Sequence, residues 1–436
     1  MYAWQPGGER QQGDAPSVDN HPYLCVYALV VVVWASIFNQ YWRRQEAFLA
    51  WKWRTIDLEQ LDEERVEFVG DLVASPITGR LHRRFPIWKR TLRQLTSIVL
   101  SLFLLAVTVC VMFCSLNLQG YIRDHNSPVH IAWFHRFALP GAIFDPESFG
   151  GNIPPALHAI VIFIINTQYQ RVATMLNDWE NYRTEADYLS HLCAKRFLFE
   201  ACDCYIHLVY IAVWWRDVVQ LRKEIIALYT MDELRRIVME ALVPYLIAKW
   251  QRRKQKKDET DAPTHPAIKQ LALSEYEPFD DYLEMVIQFG YVTLFASAIP
   301  LAPLLSLLSN TLEGLSDAFK LTHAYRRPRP VKAASIGVWN TVLSVLSSTA
   351  VLTNLWIFAF SSEQMMQWVP QLFDPVAGDH HRMRLGHGRH VVATVFALEH
   401  FILIALVVVR KLIPALPQRI KLERLREEWE AKQMAK

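Results

Sequence analysis

The chain has 436 residues, of which 52% are hydrophobic and 20% charged, with a formal net charge of +3 and a positive mean hydropathy. That mixture is too apolar for an ordinary soluble protein and fits apolar spans separated by charged loops. The small net charge leaves no dominant acidic or basic tail, and six scattered cysteines give neither a disulfide framework nor a zinc spacing.

Residues 1–22 are polar, lack the basic start and short apolar run of a signal peptide, and read as a disordered N-terminus. The apolar run 23–38 exits through Tyr41-Trp42-Arg43-Arg44, an aromatic and basic flank that predicts a cytoplasmic end. Residues 46–93 are cytoplasmic by their Lys and Arg density, with an ordinary turn at Thr78-Gly79. Residues 95–118 are long and apolar enough to span.

The loop 120–153 carries His125, His130 and His135 at five-residue intervals, which matches no zinc-type spacing and reads as solvated. The helix opening at Pro154 turns polar at Asn166, Thr167 and Gln168, then meets the charged segment NDWENYRTEADY. Two readings stand: a polar stripe facing water or headgroups within the membrane, or a helix that has already left it. The span 195–215 holds Asp203 and His207 at i, i+4, candidates for the wall of a hydrated groove, while 195–200 is expected to snorkel at the cytoplasmic interface. Residues 221–250 form the next span, followed by the basic, Pro-containing linker 251–269.

The stretch 281–317 organises the rest. It can cross a bilayer twice, is broken by Pro300 and Pro303, and carries acids at both ends, so it reads as a helical hairpin. At 1.5 Å per residue Glu284 lies roughly 24 Å below the Pro300 turn and Asp317 roughly 21 Å below Pro303, which brings the two arms' acids to similar depth. Asp281 and Glu284 are i, i+3 and Glu313 and Asp317 are i, i+4. Such carboxylates need a cation or a proton, and an all-oxygen set suits Ca2+; alternatively all four sit in the headgroup layer. Residues 336–360 and 391–409 are the last spans, and 416–436 form a charged cytoplasmic helix. The His-containing loop 363–390 between them is Gly-rich and flexible.

Asp281, Glu284-Met285, Gln288-Phe289-Gly290, Pro300-Leu301-Ala302-Pro303-Leu304, Glu313 and Asp317, followed by Arg326-Arg327-Pro328 and Ile336-Gly337-Val338-Trp339, resemble the core pattern of the anoctamin family of calcium-activated lipid scramblases and chloride channels. The resemblance covers nearly all of the chain. It implies an all-α integral membrane protein with about nine spanning helices in residues 23–415, and a calcium site formed by Glu240, Asp281, Glu284, Glu313 and Asp317. It also implies a hinge at Pro244, phospholipids as cargo and a homodimer through the last span. A cytosolic domain and a first transmembrane helix are expected ahead of residue 1.

The chain departs from the pattern at Arg236, where an Asn is usual. That guanidinium, one turn from Glu240, is expected to weaken calcium binding or to point away and leave the site intact. Ala415 and Gln418 replace acids that serve a further calcium site in relatives, so that site is expected to be absent.

The leading functional expectation is calcium-regulated phospholipid scrambling along a groove that includes Asn166, Thr167, Gln168, Asp203 and His207. An anion channel using the same groove is the close alternative. A non-transporting tether or regulator between endoplasmic reticulum and plasma membrane is the third. No nucleophile motif or phosphate-binding glycine loop points to an enzyme.

Overall fold

The computed structural model describes residues 21, 23–56, 64–74, 79, 81–122, 129–145, 149–236, 246, 270–271, 273, 275–328, 330–376, 380–384 and 386–434. Helices dominate: α1 (Leu24–Lys52), α2 (Ile87–Leu118), α3 (Ile153–Glu180), α4 (Glu185–Val209), α5 (Val218–Arg236), α6 (Phe279–Leu294), α7 (Ala302–Phe319), α8 (Trp339–Trp356), α9 (Gly388–Leu412) and α10 (Gln418–Met434). Among the described residues five helical stretches are long and apolar enough to cross a membrane, those built on α1, α2, α4, α8 and α9. Of the further expected spans, 221–250 is described as helix to Arg236, and the two hairpin arms α6 and α7 have 16 and 18 residues.

Helix ends follow local chemistry. Thr184 accepts the Asp187 amide at 3.2 Å and Glu185 and Asp187 fill the first turn, so α4 starts with both a cap and a favourable dipole interaction. The preceding helix stops at Asn181, which takes a left-handed φ of 59°. Its amide side chain grips Val69 by both N–H and carbonyl, at 3.0 and 2.7 Å. Two small hairpins, β1 (Asp71–Ala74) with β2 (Leu81–Arg84) and β3 (Phe373–Val376) with β4 (His380–Met383), occupy connectors expected to be loops. The left-handed φ of 68° at Gly79 fits the turn expected there.

The hairpin stretch lies at the centre. Val286, Tyr291, Phe295 and Ile299 belong to one buried cluster with residues of α1, α4, α5 and α8. Between α6 and α7 the chain is non-helical from 295 to 301, and irregular backbone at membrane depth must be satisfied by protein groups. Neighbouring helices supply them. Asn354 accepts from the Ser297 amide at 2.9 Å and donates to Thr293 O at 2.7 Å. Thr353 donates to Leu294 O, the Arg222 guanidinium donates twice to Ala298 O, and the Tyr27 hydroxyl donates to Pro300 O. By contrast α2 and α9 bury only 22% and 11% of their apolar windows, which leaves them the faces that meet lipid or another chain.

Candidate functional site

The two arms of the hairpin form a ladder of polar rungs. Near the top Gln288 Nε2 donates to Ser309 Oγ at 2.9 Å, joining α6 to α7. One turn further toward the inner end come Glu284 on α6, half-buried, and Glu313 on α7, only 2% exposed. At the foot stand Asp281 and Asp317. The Lys320 ammonium lies 3.2 Å from Asp281 Oδ1 and 2.9 Å from Asp317 Oδ1, so one cation bridges carboxylates of opposite arms. Its side chain is 9% exposed against 23% and 27% for the acids. A π turn over Lys320–Ala324 follows α7 directly and begins at this lysine.

Tyr276 donates its hydroxyl to Asp281 Oδ2. Burial, reinforced by that bond to a carboxylate, pushes the Tyr276 phenol well above its usual range.

The acids of the two arms lie on matching rungs. The arms do bring Asp281 and Asp317 to a common point, with Glu284 and Glu313 one turn above. Among the described residues no three acidic, histidine or cysteine side chains are grouped closely enough to hold a metal, and Lys320 lies between Asp281 and Asp317. The donor chemistry still fits a hard divalent cation: the rungs offer carboxylate, amide and hydroxyl oxygens with no sulfur or imidazole, and the foot already stabilises positive charge. Glu240 and Pro244 lie outside the described residues, and Arg236 closes α5 with its side chain also outside them.

The expected groove residues fall on α3 and α4. Asn166 Nδ2 donates to Glu200 Oε2 at 2.9 Å, a bond between the two helices, while the Thr167 hydroxyl turns back to Phe163 O and Gln168 is exposed. Asp203 is half-buried on α4. The His207 ring lies 6.5 Å from that of Tyr121. The Tyr121 hydroxyl donates to Glu224 Oε1 at 3.0 Å, and Gln220 Nε2 donates to the same oxygen at 2.8 Å. Glu200, Glu224, Tyr121 and Gln220 are thus hydrogen-bonding neighbours of the expected residues, although spacing alone did not single them out.

The expected snorkelling of 195–200 is corrected as well. Lys195 Nζ is buried against Glu180 Oε2 at 2.7 Å and Asn177 Oδ1 at 2.8 Å, with Glu180 only 1% exposed. Arg196 pairs with Asp280 at 3.2 Å and stacks on Phe279. Helix α3 remains helical past Asn166 to Glu180, so the polar stripe is part of one continuous helix.

Two close approaches fix α4 and α5 against the ladder. Tyr205 donates to Ile287 O at 3.0 Å directly over Gly290, where an added Cβ would come within 1.9 Å of the Tyr205 hydroxyl. Tyr229 and Ser306 share a hydrogen bond of 2.6 Å between α5 and α7.

A family model described as "Anoctamin: Calcium-activated chloride channel" matches residues 3–427. Anoctamin-10 of Danio rerio is 32% identical over 426 residues, covering 95% of this chain and 61% of that protein. Anoctamin-10 of Homo sapiens is 28% identical over 423 residues, with coverages of 95% and 60%. Anoctamin-7 of Mus musculus is 30% identical over 383 residues, covering 79% of this chain and 43% of the relative. The chain therefore spans about three fifths of the length of the Anoctamin-10 relatives it matches.

Proposed function

Since the chain belongs to the anoctamin family, and so to a class of multi-pass membrane proteins, we propose that it is a calcium-regulated phospholipid scramblase. The observation that carries the reading is the ladder foot, where Asp281 and Asp317 of opposite arms already share one cation. Asp281, Glu284, Glu313 and Asp317 are the proposed ligands. Glu240 is kept with them on the family resemblance of the stretch from Glu240 to Pro244.

Bound Ca2+ would supply the positive charge that keeps these carboxylates ionised in a low-dielectric setting. The protein's own groups do the rest. Gln288 and Ser309 hold the arms in register above the acids, and Lys320 holds the foot closed in the absence of a divalent ion. Pro244 is the proposed hinge that lets the segment carrying Glu240 move toward the arms.

Along α3, α4 and α5 the polar residues Asn166, Thr167, Gln168, Glu200, Asp203, His207 and Glu224 would offer a headgroup hydrogen-bonding partners at successive depths while its tails stay in lipid. That avoids the large cost of moving a zwitterion through hydrocarbon. A homodimer is proposed through α9, whose apolar face is largely exposed.

The family description favours a second reading, a chloride channel that uses the same polar path for anions. Purified full chain in vesicles separates the two, by measuring fluorescent-lipid translocation and ion flux in parallel with and without calcium. Calcium-dependent lipid movement that is lost in Glu313→Gln supports scrambling. Flux without lipid movement assigns the channel, and no calcium response in either assay refutes both.

A further inference from the structure

Between α7 and α8 the chain runs through Arg326-Arg327-Pro328-Arg329-Pro330-Val331-Lys332-Ala333-Ala334-Ser335 before a turn at Gly337. From Lys320 to Ser335 it carries five lysines and arginines and no acid, which puts the connector on the cytoplasmic side. Pro328 and Pro330 do not continue a helix, and the described residues from 326 to 336 are non-helical. Arg327, Val331, Lys332 and Ser335 are all exposed. The Thr55 hydroxyl donates to Ala333 O at 2.9 Å and anchors the connector just before the serine.

Ser335 differs from the hydroxyls at the neighbouring helix ends. Thr91 and Thr322 are exposed too, but each lies in a helical turn and donates to a carbonyl four residues back. Ser335 stands outside any helix, and its Oγ accepts the Gly337 amide at 3.0 Å. An exposed serine on extended chain, with a lysine three residues before it, arginines further upstream and an isoleucine after it, has the charge pattern that basic-directed protein kinases accept. Acidic groups on such a kinase pair with the upstream cations, and the extended chain delivers the hydroxyl to the catalytic carboxylate.

We propose that Ser335 is a phosphorylation site for a serine kinase that reads basic residues upstream of its acceptor. The Ser335 oxygen forms a bond to the γ-phosphorus of ATP, and the bond from that phosphorus to the β,γ-bridging oxygen breaks. ADP leaves with the bonding pair, and the serine proton passes to the kinase's carboxylate.

The phosphate arrives where an anion already sits. Glu46 of α1 accepts the Ile336 amide with one carboxylate oxygen and the Asn340 side chain, at 2.7 Å, with the other, and so clasps the inner end of α1 to the start of α8. A phosphoserine one residue before Ile336 brings a charge of about −2 beside that carboxylate. Its oxygens reach the Ile336 and Gly337 amides from the same stretch of chain, favoured by the dipole of α8, so the phosphate takes the amides and Glu46 is repelled. Phosphorylation thereby exchanges a contact between α1 and α8 for one within the connector. The site does not depend on the proposed calcium ladder.

The test is incubation of detergent-purified full chain with ATP and the catalytic domain of a serine kinase that requires a basic residue three positions before its acceptor, read by intact mass and peptide mass spectrometry. The expected result is one phosphate per chain, mapped to Ser335 and absent in Ser335→Ala. Lys332→Ala is expected to lower kcat/KM about tenfold or more, the worth of one charged contact. The phosphorylated parent is expected to melt lower than the unmodified chain by about 2 °C or more, a shift at least halved in Glu46→Gln, which has no carboxylate to repel. An unmodified Ser335, phosphate at other residues only, or an unchanged kcat/KM in Lys332→Ala overturns the site. Equal melting of the two forms, or an undiminished shift in Glu46→Gln, overturns the exchange at Glu46.

Discussion

Replacing Lys320 by Met removes the charge at the ladder foot while keeping most of the side-chain volume. The ammonium sits 3.2 and 2.9 Å from two carboxylates, and at an effective dielectric of 20 each such pair is attracted by about 5 kcal/mol before desolvation is subtracted. Because the acids are 23% and 27% exposed, solvent screens part of that, and the net value of the two charged contacts is about 2–3 kcal/mol. A divalent ion coordinated by Asp281 and Asp317 must displace the ammonium, so the same energy opposes its binding.

Lys320→Met is therefore expected to bind calcium about 30-fold more tightly than the parent. It is also expected to melt lower without calcium, because Asp281 and Asp317 then face each other with no cation between them. Calorimetric calcium titration and melting curves at fixed free calcium, both on detergent-purified full chain, measure the two effects. Equal calcium midpoints would show that Lys320 does not compete, and a raised midpoint would show that it helps hold the ion.

Further outcomes follow from the same geometry. Gly290→Ala drives a Cβ into the Tyr205 hydroxyl and is expected to cost about 1–3 kcal/mol by melting, and adding Tyr205→Phe, which removes the nearest clashing atom, is expected to recover part of it. Asn354→Ala leaves the buried Ser297 amide and Thr293 carbonyl short of a partner, for a loss of about 2–4 kcal/mol in the same assay; an unchanged melt would show that the turn finds other partners. Lys195→Met leaves the Glu180 carboxylate, 1% exposed, without its cation though still accepting from the Tyr182 hydroxyl, at a cost of about 3–5 kcal/mol, and Lys195→Met/Glu180→Gln should restore most of it. Arg236→Asn is expected to lower the calcium concentration at half-response in vesicles, and matching midpoints would remove Arg236 as a modifier.

The hairpin was legible because its determinants are local: two prolines fix the break and a constant rise per residue sets the level of the acids on each arm. Lys320 was not legible. Three residues after Asp317 it reads as one more basic residue at a cytoplasmic boundary, and only the opposite arm reveals that it also reaches Asp281. The same limit applies to Arg43, which looks like a positive-inside flank until α8 and α9 are packed against it. Glu200 was placed at the interface by counting from Lys195, yet its partner Asn166 lies on another helix. The two β-hairpins were missed because strands of four residues, one pair largely exposed, carry too little alternation to separate them from connectors.

The turn between α6 and α7 is tied by side chains from three other helices: Tyr27 from α1, Arg222 from α5, and Thr353 and Asn354 from α8. At the opposite end of the same two arms, among the described residues, Lys320 bridges Asp281 and Asp317, and the proposed divalent ion would take its place. The pair is thus built like tweezers, welded at one end and latched at the other, so that whatever opens or closes the tips leaves the weld unmoved.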